Sequence, residues 1–197
     1  MTKRITLLRH GKTGMSGKYV GSQDVPLSTD GVFQINKLKK QFIKYPIDGV
    51  ISSPMLRCRQ TSEILFAQDL MSHDEDLCEV DFGCWENLTF QEIVNKNPEL
   101  VDEWSKSSND FCFPEGECMA AFVSRVQSAG QRIKKSDEKD IMIVAHGGVI
   151  RYLLCYFLNL EPSHYLLFNV LKGRYSTLDL FDEGAVLTGF NLGVECQ

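Results

Sequence analysis

The stretch Ile5-Thr6-Leu7-Leu8-Arg9-His10-Gly11 decides the fold, together with a second stretch of the same form, Ile141-Met142-Ile143-Val144-Ala145-His146-Gly147-Gly148. Each is a short apolar run that ends in a histidine followed by glycine. Such runs, bounded by turn residues, predict buried strands. Ligands in open α/β sheets bind beyond the carboxyl ends of the strands, so we expect the two imidazoles to meet at one edge of the sheet beside Arg9. This grouping suits a phosphate anion, and a histidine there can act as a nucleophile.

Strand-like and helix-like segments alternate along the chain, which predicts an α/β layer fold. Ser28 is expected to cap the first helix. Ser53 is expected to cap the second, with Pro54 at its first helical position. No repeat or linker interrupts the pattern, so we expect one domain over residues 1–197. The further predicted elements are a helix over residues 119–133 and a hairpin of residues 175–181 and 186–190.

Composition limits the classes of partner. The chain has 197 residues and a formal net charge of −5, which argues against nucleic acid as the main partner. No apolar run approaches the roughly 20 residues of a membrane span, and the first strand begins too early to leave room for a signal peptide. We therefore expect a cytoplasmic protein, and we leave open whether it forms a homodimer.

Cysteine and histidine spacing bears on redox state and metals. The seven cysteines are odd in number, and no pair has CxxC spacing. This pattern predicts a reducing compartment with no disulfide framework and no zinc site. The other two histidines, His73 and His164, are interpreted as structural or solvated. No spacing requires a metal, and no cofactor is expected. The cysteines are Cys58, Cys78, Cys84, Cys112, Cys118, Cys155 and Cys196.

Further charged residues fall where a phosphate pocket would need them. Arg57 lies in the first turn of a predicted helix, where free N–H groups and the helix dipole attract anions, and Arg59 is an equally plausible candidate. A leaving alkoxide needs a proton donor, and Glu79, Asp81 and Glu86 all qualify chemically. The residues alone do not choose among them.

Four motifs together resemble the histidine phosphatase superfamily, in the branch that contains cofactor-dependent phosphoglycerate mutases and small-molecule phosphatases. The similarity extends over residues 4–158. It implies a phosphoglycerate mutase-like α/β fold, a three-layer sandwich whose mostly parallel central sheet is flanked by helices. In chain order the motifs are Arg9-His10-Gly11, the Ser52–Arg57 segment, Glu79-x-x-x-Gly83-x-Trp85-Glu86, and His146-Gly147.

The resemblance assigns a role to each matching position. His10 would be the phosphorylated nucleophile, and Glu79 the proton donor and later the base for water. Ser16 stands where many relatives have asparagine, and its hydroxyl can still donate to a phosphate oxygen. No metal or cofactor is implied, because cationic side chains take that role. The residues expected to bind phosphate are Arg9, Arg57, His146, Ser16 and Gly147.

Finer features are similar to α-ribazole phosphatases, which remove the 5′-phosphate of a nucleoside in cobalamin assembly. A phosphoglycerate mutase-like or broad-specificity sugar-phosphate enzyme is an alternative, although mutases of this branch are longer. Another is a non-catalytic phosphate-binding regulator, and a third is a phosphohistidine phosphatase acting on proteins. Lys18 and Tyr19 follow the nucleophile and are interpreted as a solvated loop. The segments that carry the finer similarity are residues 19–27, 57–61, 81–86 and 114–117.

Overall fold

The fold is built on one mixed sheet of six strands flanked by helices. It is seen in a computed structural model that describes residues 2–42, 46–106 and 110–193. The strands are β1 (Lys3–Arg9), β2 (Gly49–Ser52), β3 (Met71–His73), β4 (Asp140–Ala145), β5 (Tyr175–Phe181) and β6 (Gly184–Leu192). The α-helices are α1 (Thr29–Phe42), α2 (Leu56–Leu65), α3 (Phe90–Lys96), α4 (Pro98–Lys106), α5 (Met119–Lys135) and α6 (Gly147–Phe157).

The strand order brings the two histidine strands side by side. The order is β3-β2-β4-β1-β5-β6, with parallel pairing from β3 to β1 and antiparallel pairing of β1 with β5 and of β5 with β6. Arg9 of β1 is in register with Ala145 of β4, and the amide of His10 donates to the Ala145 carbonyl at 3.0 Å. The predicted α/β fold and the meeting of the two histidines at one sheet edge are confirmed.

Alternation along the central strands divides the apolar core into two layers. Ile5 and Leu7 pack on the face covered by α5 and α6, whereas Leu8 packs on the face covered by α1 and α2. All three side chains are fully buried, and each such burial is worth roughly 1.5–3 kcal/mol. The core therefore fixes the carboxyl end of β1, where the site residues begin.

The two predicted helix caps have different outcomes. The Ser28 hydroxyl accepts a hydrogen bond from the Gly31 amide at 3.1 Å at the start of α1, as predicted. The prediction that Ser53 caps α2 with Pro54 at its first helical position is wrong, because α2 begins at Leu56. Its N-cap residue, Met55, makes no capping bond with its side chain. The Leu56 amide donates instead to the carboxylate of Asp24. The Ser53 hydroxyl is thereby available to His146.

One disulfide corrects the expectation from the cysteine pattern. Cys112 and Cys118 are bonded across a short antiparallel bridge that closes the turn between them. The structure describes four further cysteines, all free: Cys58, Cys78, Cys84 and Cys155. Cys196 lies outside the described residues. The prediction of no disulfide is therefore wrong for the Cys112–Cys118 pair.

In the part of the chain that the structure describes, no helix combines the length and apolar character needed to cross a membrane.

Candidate active site

A cavity of about 330 Å³ opens where β1 and β4 end. Residues from several elements line it: the loop after β1, the start of α2, the segment before Trp85, the first turns of α6, and the chain between α6 and β5. The charged and imidazole groups in this lining are Arg9, His10, Lys18, Arg57, Glu79, Arg151 and Lys172. Glu79 is the one acid among them, so the cavity presents excess positive charge to a ligand.

His10 is held in the tautomer that a nucleophile needs. Its Nδ1 lies 2.8 Å from the carbonyl oxygen of Gly11, and a carbonyl can only accept, so Nδ1 carries the proton. Nε2 is then the unprotonated nitrogen. Burial, with Arg9 and Arg57 nearby, holds the pKa of His10 well below its usual range. The imidazole is therefore neutral at pH 7, and its Nε2 lone pair is available to an electrophile.

His146 lies next to His10, with the ring centroids 5.3 Å apart. Arg57 Nε is 3.1 Å from His146 Nδ1, and because a guanidinium can only donate, Nδ1 is the acceptor. Nε2 then carries the proton, and it donates to the Ser53 hydroxyl at 2.9 Å. Burial and Arg57 hold the pKa of His146 well below its usual range. His146 can bond a phosphoryl oxygen only by giving up one of these two bonds, and its role in binding phosphate stays a prediction.

The structure separates Arg57 from its rival Arg59. Arg57 is 1% exposed and lines the cavity, whereas Arg59 does not line it. Besides its bond to His146, the Arg57 guanidinium donates to the carbonyls of Gln23 at 2.7 Å and Gly21 at 2.9 Å. These bonds fix the guanidinium at the floor of the cavity.

Arg9 and Gly147 meet at the start of α6. Arg9 Nη1 donates to the Val170 carbonyl at 2.7 Å, while the buried Nε has no hydrogen-bond partner among the described residues. A Cβ on Gly147 would lie 3.0 Å from Arg9 Cζ, so glycine lets the guanidinium lie against the helix N-terminus. An unpaired guanidinium N–H beside such a terminus is suited to bind an anion.

Glu79 is the one of the three candidate acids that lines the cavity. Its Oε2 accepts from the Gly148 amide at 3.0 Å, and a Cβ on Gly148 would lie 2.5 Å from Oε1, so only glycine permits this approach. Asp81 instead accepts hydrogen bonds from the loop at Ser22 and from the Gly83 amide. Glu86 accepts from the amides of residues 21, 22 and 82. Both rivals thus tie loops together away from the cavity.

Other predicted residues lie elsewhere, and some lining residues were missed. Ser16 is exposed in its turn and is not among the lining residues, so its contact with phosphate stays a prediction. Lys18 and Tyr19, interpreted as a solvated loop, line the cavity. Lys172 and Arg151 also line it, although no sequence signal pointed to Lys172. Arg151 lies four residues after Gly147 on α6, one helical turn further along the same face, and this spacing could have indicated it.

The outer wall of the cavity is aromatic. Trp104 of α4 packs against Tyr19 and Phe113, with ring centroids 6.3 and 5.9 Å away, and all three line the cavity. Behind them Trp85 is fully buried, 5.6 Å from Trp104. The rings of Tyr19, Trp104 and Phe113 therefore form an apolar wall of the cavity.

Among the described residues, no group of three or more histidine, cysteine, aspartate and glutamate side chains could hold a metal ion. His73 and His164 are exposed, in line with their interpretation as solvated residues. Neither lines the cavity.

The model of the histidine phosphatase superfamily (branch 1) matches residues 5–193. The chain belongs to this superfamily. As a histidine phosphatase it has relatives of nearly the same length. It is 29% identical over 193 residues to the adenosylcobalamin/alpha-ribazole phosphatase of Salmonella typhimurium, across 95% of this chain and 96% of that one. It is 26% identical over 194 residues to phosphoserine phosphatase 1 of Hydrogenobacter thermophilus, across 96% and 92% of the two chains.

Solved structures agree with this membership. The crystal structure of the alpha-ribazole phosphatase from Shigella flexneri matches with a TM-score of 0.87 and 26% identity, over 98% of this chain and 100% of that one. The family match and the phosphatase relatives establish a phosphoric monoester hydrolase.

Proposed function

We propose that this histidine phosphatase hydrolyses α-ribazole 5′-phosphate through a phosphohistidine formed on His10. The observation that carries the mechanism is the buried, neutral His10, whose Nδ1 is protonated and whose Nε2 is free in a cavity lined by Arg9, Arg57 and Glu79. Uncatalysed hydrolysis of a phosphate monoester is among the slowest reactions known, so the site must supply a large share of the barrier.

The first step transfers the phosphoryl group to the enzyme. The Nε2 lone pair of His10 attacks phosphorus, the bond from phosphorus to the leaving oxygen breaks, and Glu79 gives that oxygen a proton. The cations at the equatorial oxygens stabilise charge in the transition state. The donors assigned to this task are Arg9 and Arg57, with an exchange of hydrogen bonds at His146.

The second step releases phosphate. Glu79, now a carboxylate, takes a proton from water as the water oxygen attacks phosphorus. The bond from phosphorus to Nε2 breaks, and the electron pair returns to His10. Inorganic phosphate leaves, and Glu79 is again protonated for the next turnover.

The aromatic wall supports a nucleoside as the leaving group. Tyr19, Trp104 and Phe113 line the cavity with aromatic rings, and stacking of a base on an aromatic side chain is worth roughly 1–3 kcal/mol per base. The cavity volume of about 330 Å³ suits a small molecule. The relatives named alpha-ribazole phosphatase support the same substrate.

A specific observation favours a second candidate, a small phosphate ester with another anionic group. Lys18, Arg151 and Lys172 line the cavity in addition to the two arginines assigned to the phosphoryl group. Burial, with Arg9 and Arg57 nearby, lowers the pKa of Lys172, so a bound anion would stabilise its charged form. Phosphoserine and phosphoglycerate carry such a group as a carboxylate.

A hydrolysis panel separates the two candidates. We would measure kcat/KM for α-ribazole 5′-phosphate, phosphoserine, 3-phosphoglycerate, a sugar phosphate and a purine nucleoside 5′-monophosphate. The proposal expects α-ribazole 5′-phosphate to give the highest value. A higher kcat/KM for phosphoserine or 3-phosphoglycerate would favour the second candidate over α-ribazole 5′-phosphate. The absence of turnover of any ester would favour the non-catalytic alternative.

We further propose that residues 1–197 act as one domain in the cytoplasm, without nucleic acid as a partner, and that the chain forms a homodimer. The single sheet supports one domain, and the net charge of −5 supports the absence of nucleic acid. Four of the six cysteines that the structure describes are free, which supports the location, whereas the Cys112–Cys118 disulfide counts against it. Phe181 and Val186 are 47% and 54% exposed at the hairpin of β5 and the edge strand β6, which supports pairing of two copies. Sedimentation equilibrium tests the dimer, and a monomer mass would refute it.

A further inference from the structure

Arg125 of α5 joins the segment that carries Glu79 to the turn before the helix. Its Nε and Nη2 bond the two carboxylate oxygens of Glu117 at 2.7 and 2.9 Å. Its Nη1 donates to the carbonyls of Asp76 at 2.9 Å and Cys78 at 2.6 Å, and Nη2 donates to the Glu79 carbonyl at 3.1 Å. These five bonds match the five N–H groups of a guanidinium, so none is left over.

Glu117 completes the connection on the far side of Glu79. Its Oε2 accepts from the Asp81 amide at 3.3 Å, and its own amide donates to the Asp81 carbonyl at 2.9 Å. The side chains of Arg125 and Glu117 are only 20% and 19% exposed, so water screens their ion pair less than it screens a surface pair. The backbone is therefore held on both sides of residue 79.

These bonds matter because residues 78–82 belong to no helix or strand and have no ladder of backbone hydrogen bonds. Arg125 also lies 4.6 Å from the ring centroid of Phe122, which lines the cavity. A Cβ on Gly148 would touch both Glu79 Oε1 and Phe122 Cζ, so the carboxyl and this ring both lie against the start of α6. Arg125 thus bonds the Glu79 backbone and packs on a ring that lies near the same glycine as the Glu79 carboxyl.

We propose that Arg125, with Glu117, is a positioning residue that holds the Glu79 carboxyl at the leaving oxygen. The inference rests on the proposed role of Glu79 as the proton donor. A displacement of about 1 Å at a reacting group can cost a hundredfold in rate. Loss of Arg125 should therefore impair proton donation by Glu79. The rate should fall most for substrates whose leaving group needs that proton.

The test compares two leaving groups in the full-length enzyme. The Arg125→Gln variant is assayed with β-glycerophosphate, which leaves as an alkoxide, and with p-nitrophenyl phosphate, which leaves as a stable phenolate. We expect kcat to fall at least about tenfold more for β-glycerophosphate, since general acid catalysis contributes roughly 10²–10⁴-fold, while KM for both changes little. Arg125→Lys keeps the charge but loses the fork, and it should restore part of the β-glycerophosphate rate.

Arg132 provides the matched control. It lies two turns further along α5, is 52% exposed and pairs with Asp74 and Asp76 of the loop that precedes Glu79. Arg132→Gln should leave the ratio of the two rates as in the unchanged enzyme. If Arg125→Gln does not fold, Glu117→Gln removes the ion pair while Arg125 keeps its backbone bonds, and it should show a smaller shift of the ratio in the same direction.

The outcomes separate this inference from the proposed function. Equal losses for both substrates in Arg125→Gln, beside a selective loss in Glu79→Gln, would overturn the positioning role and leave the acid in place. Equal losses in Glu79→Gln would overturn the assignment of the acid and this inference with it. Selective losses in both variants, with a normal ratio in Arg132→Gln, would support the inference.

Discussion

The two buried histidines should make the fold sensitive to mild acid. His10 is 4% exposed and His146 is fully buried, and burial is the first cause that lowers the pKa of each below the ordinary value of 6.5. As the pH falls below 6.5, the unfolded chain takes up protons at these positions and the folded chain does not. The stabilisation is therefore present above pH 6.5 and is lost as the pH falls toward the pKa of the folded state.

The size of the loss follows from proton linkage. If the folded imidazole stays neutral, lowering the pH from 7.0 to 5.5 costs about 1.3 kcal/mol per histidine, and about 2.5 kcal/mol for His10 and His146 together. Carboxylates titrate mainly below this window, so they add little to it. A domain with a free energy of unfolding of about 5–15 kcal/mol would register this change clearly.

The assay is urea denaturation at pH 7.0 and 5.5, followed by circular dichroism. The unchanged protein should lose about 2.5 kcal/mol of unfolding free energy, and His10→Asn about half of that, because one buried imidazole is gone. His73→Asn, which removes an exposed imidazole at the end of β3, is the matched control. If His10→Asn lost as much unfolding free energy between pH 7.0 and 5.5 as His73→Asn does, the reasoning would be refuted. Equal stability of the unchanged protein at both pH values would refute it too.

Four further predictions concern activity. His10→Ala should abolish turnover of every ester while the fold survives, and a near-normal rate would exclude phosphohistidine. Arg57→Ala should lower kcat/KM well over tenfold, because a charge-assisted hydrogen bond is worth roughly 1.5–3 kcal/mol. Arg59→Ala should lower kcat/KM less. A larger loss in Arg59→Ala than in Arg57→Ala would contradict the structure. Glu79→Gln should slow an alkyl phosphate far more than p-nitrophenyl phosphate, and a selective loss in Glu86→Gln instead would reassign the acid. Activity should survive EDTA, since arginines neutralise the phosphate, and a loss reversed by a divalent ion would contradict this.

The sequence predicts the inner sheet and the nucleophile well, because both depend on local pattern. The apolar runs that end at His10 and His146 can be buried only as central strands, and parallel pairing brings their carboxyl ends together. The helix capped by Ser28 is likewise determined within a few residues of chain.

Features that depend on distant partners were not predictable in this way. Ser53 has the residue type and the place of a helix cap, but its hydroxyl bonds His146, which lies 93 residues further along the chain. The choice of Glu79 over its rivals depends on α6, because the Gly148 amide donates a hydrogen bond to the Glu79 carboxylate and to neither rival. Lys172 reaches the cavity from an irregular stretch with no periodicity to mark it.

The aromatic wall also determines how the protein emits light. The chain has two tryptophans, and Trp85 and Trp104 lie 5.6 Å apart, with Trp104 at the cavity. The intrinsic fluorescence of the whole chain therefore arises beside the proposed substrate. A ligand with an aromatic base would stack there and quench the emission, whereas phosphoserine or inorganic phosphate has no ring with which to do so. A titration of the inactive His10→Ala variant would thus distinguish a nucleotide from an aliphatic ester without any turnover.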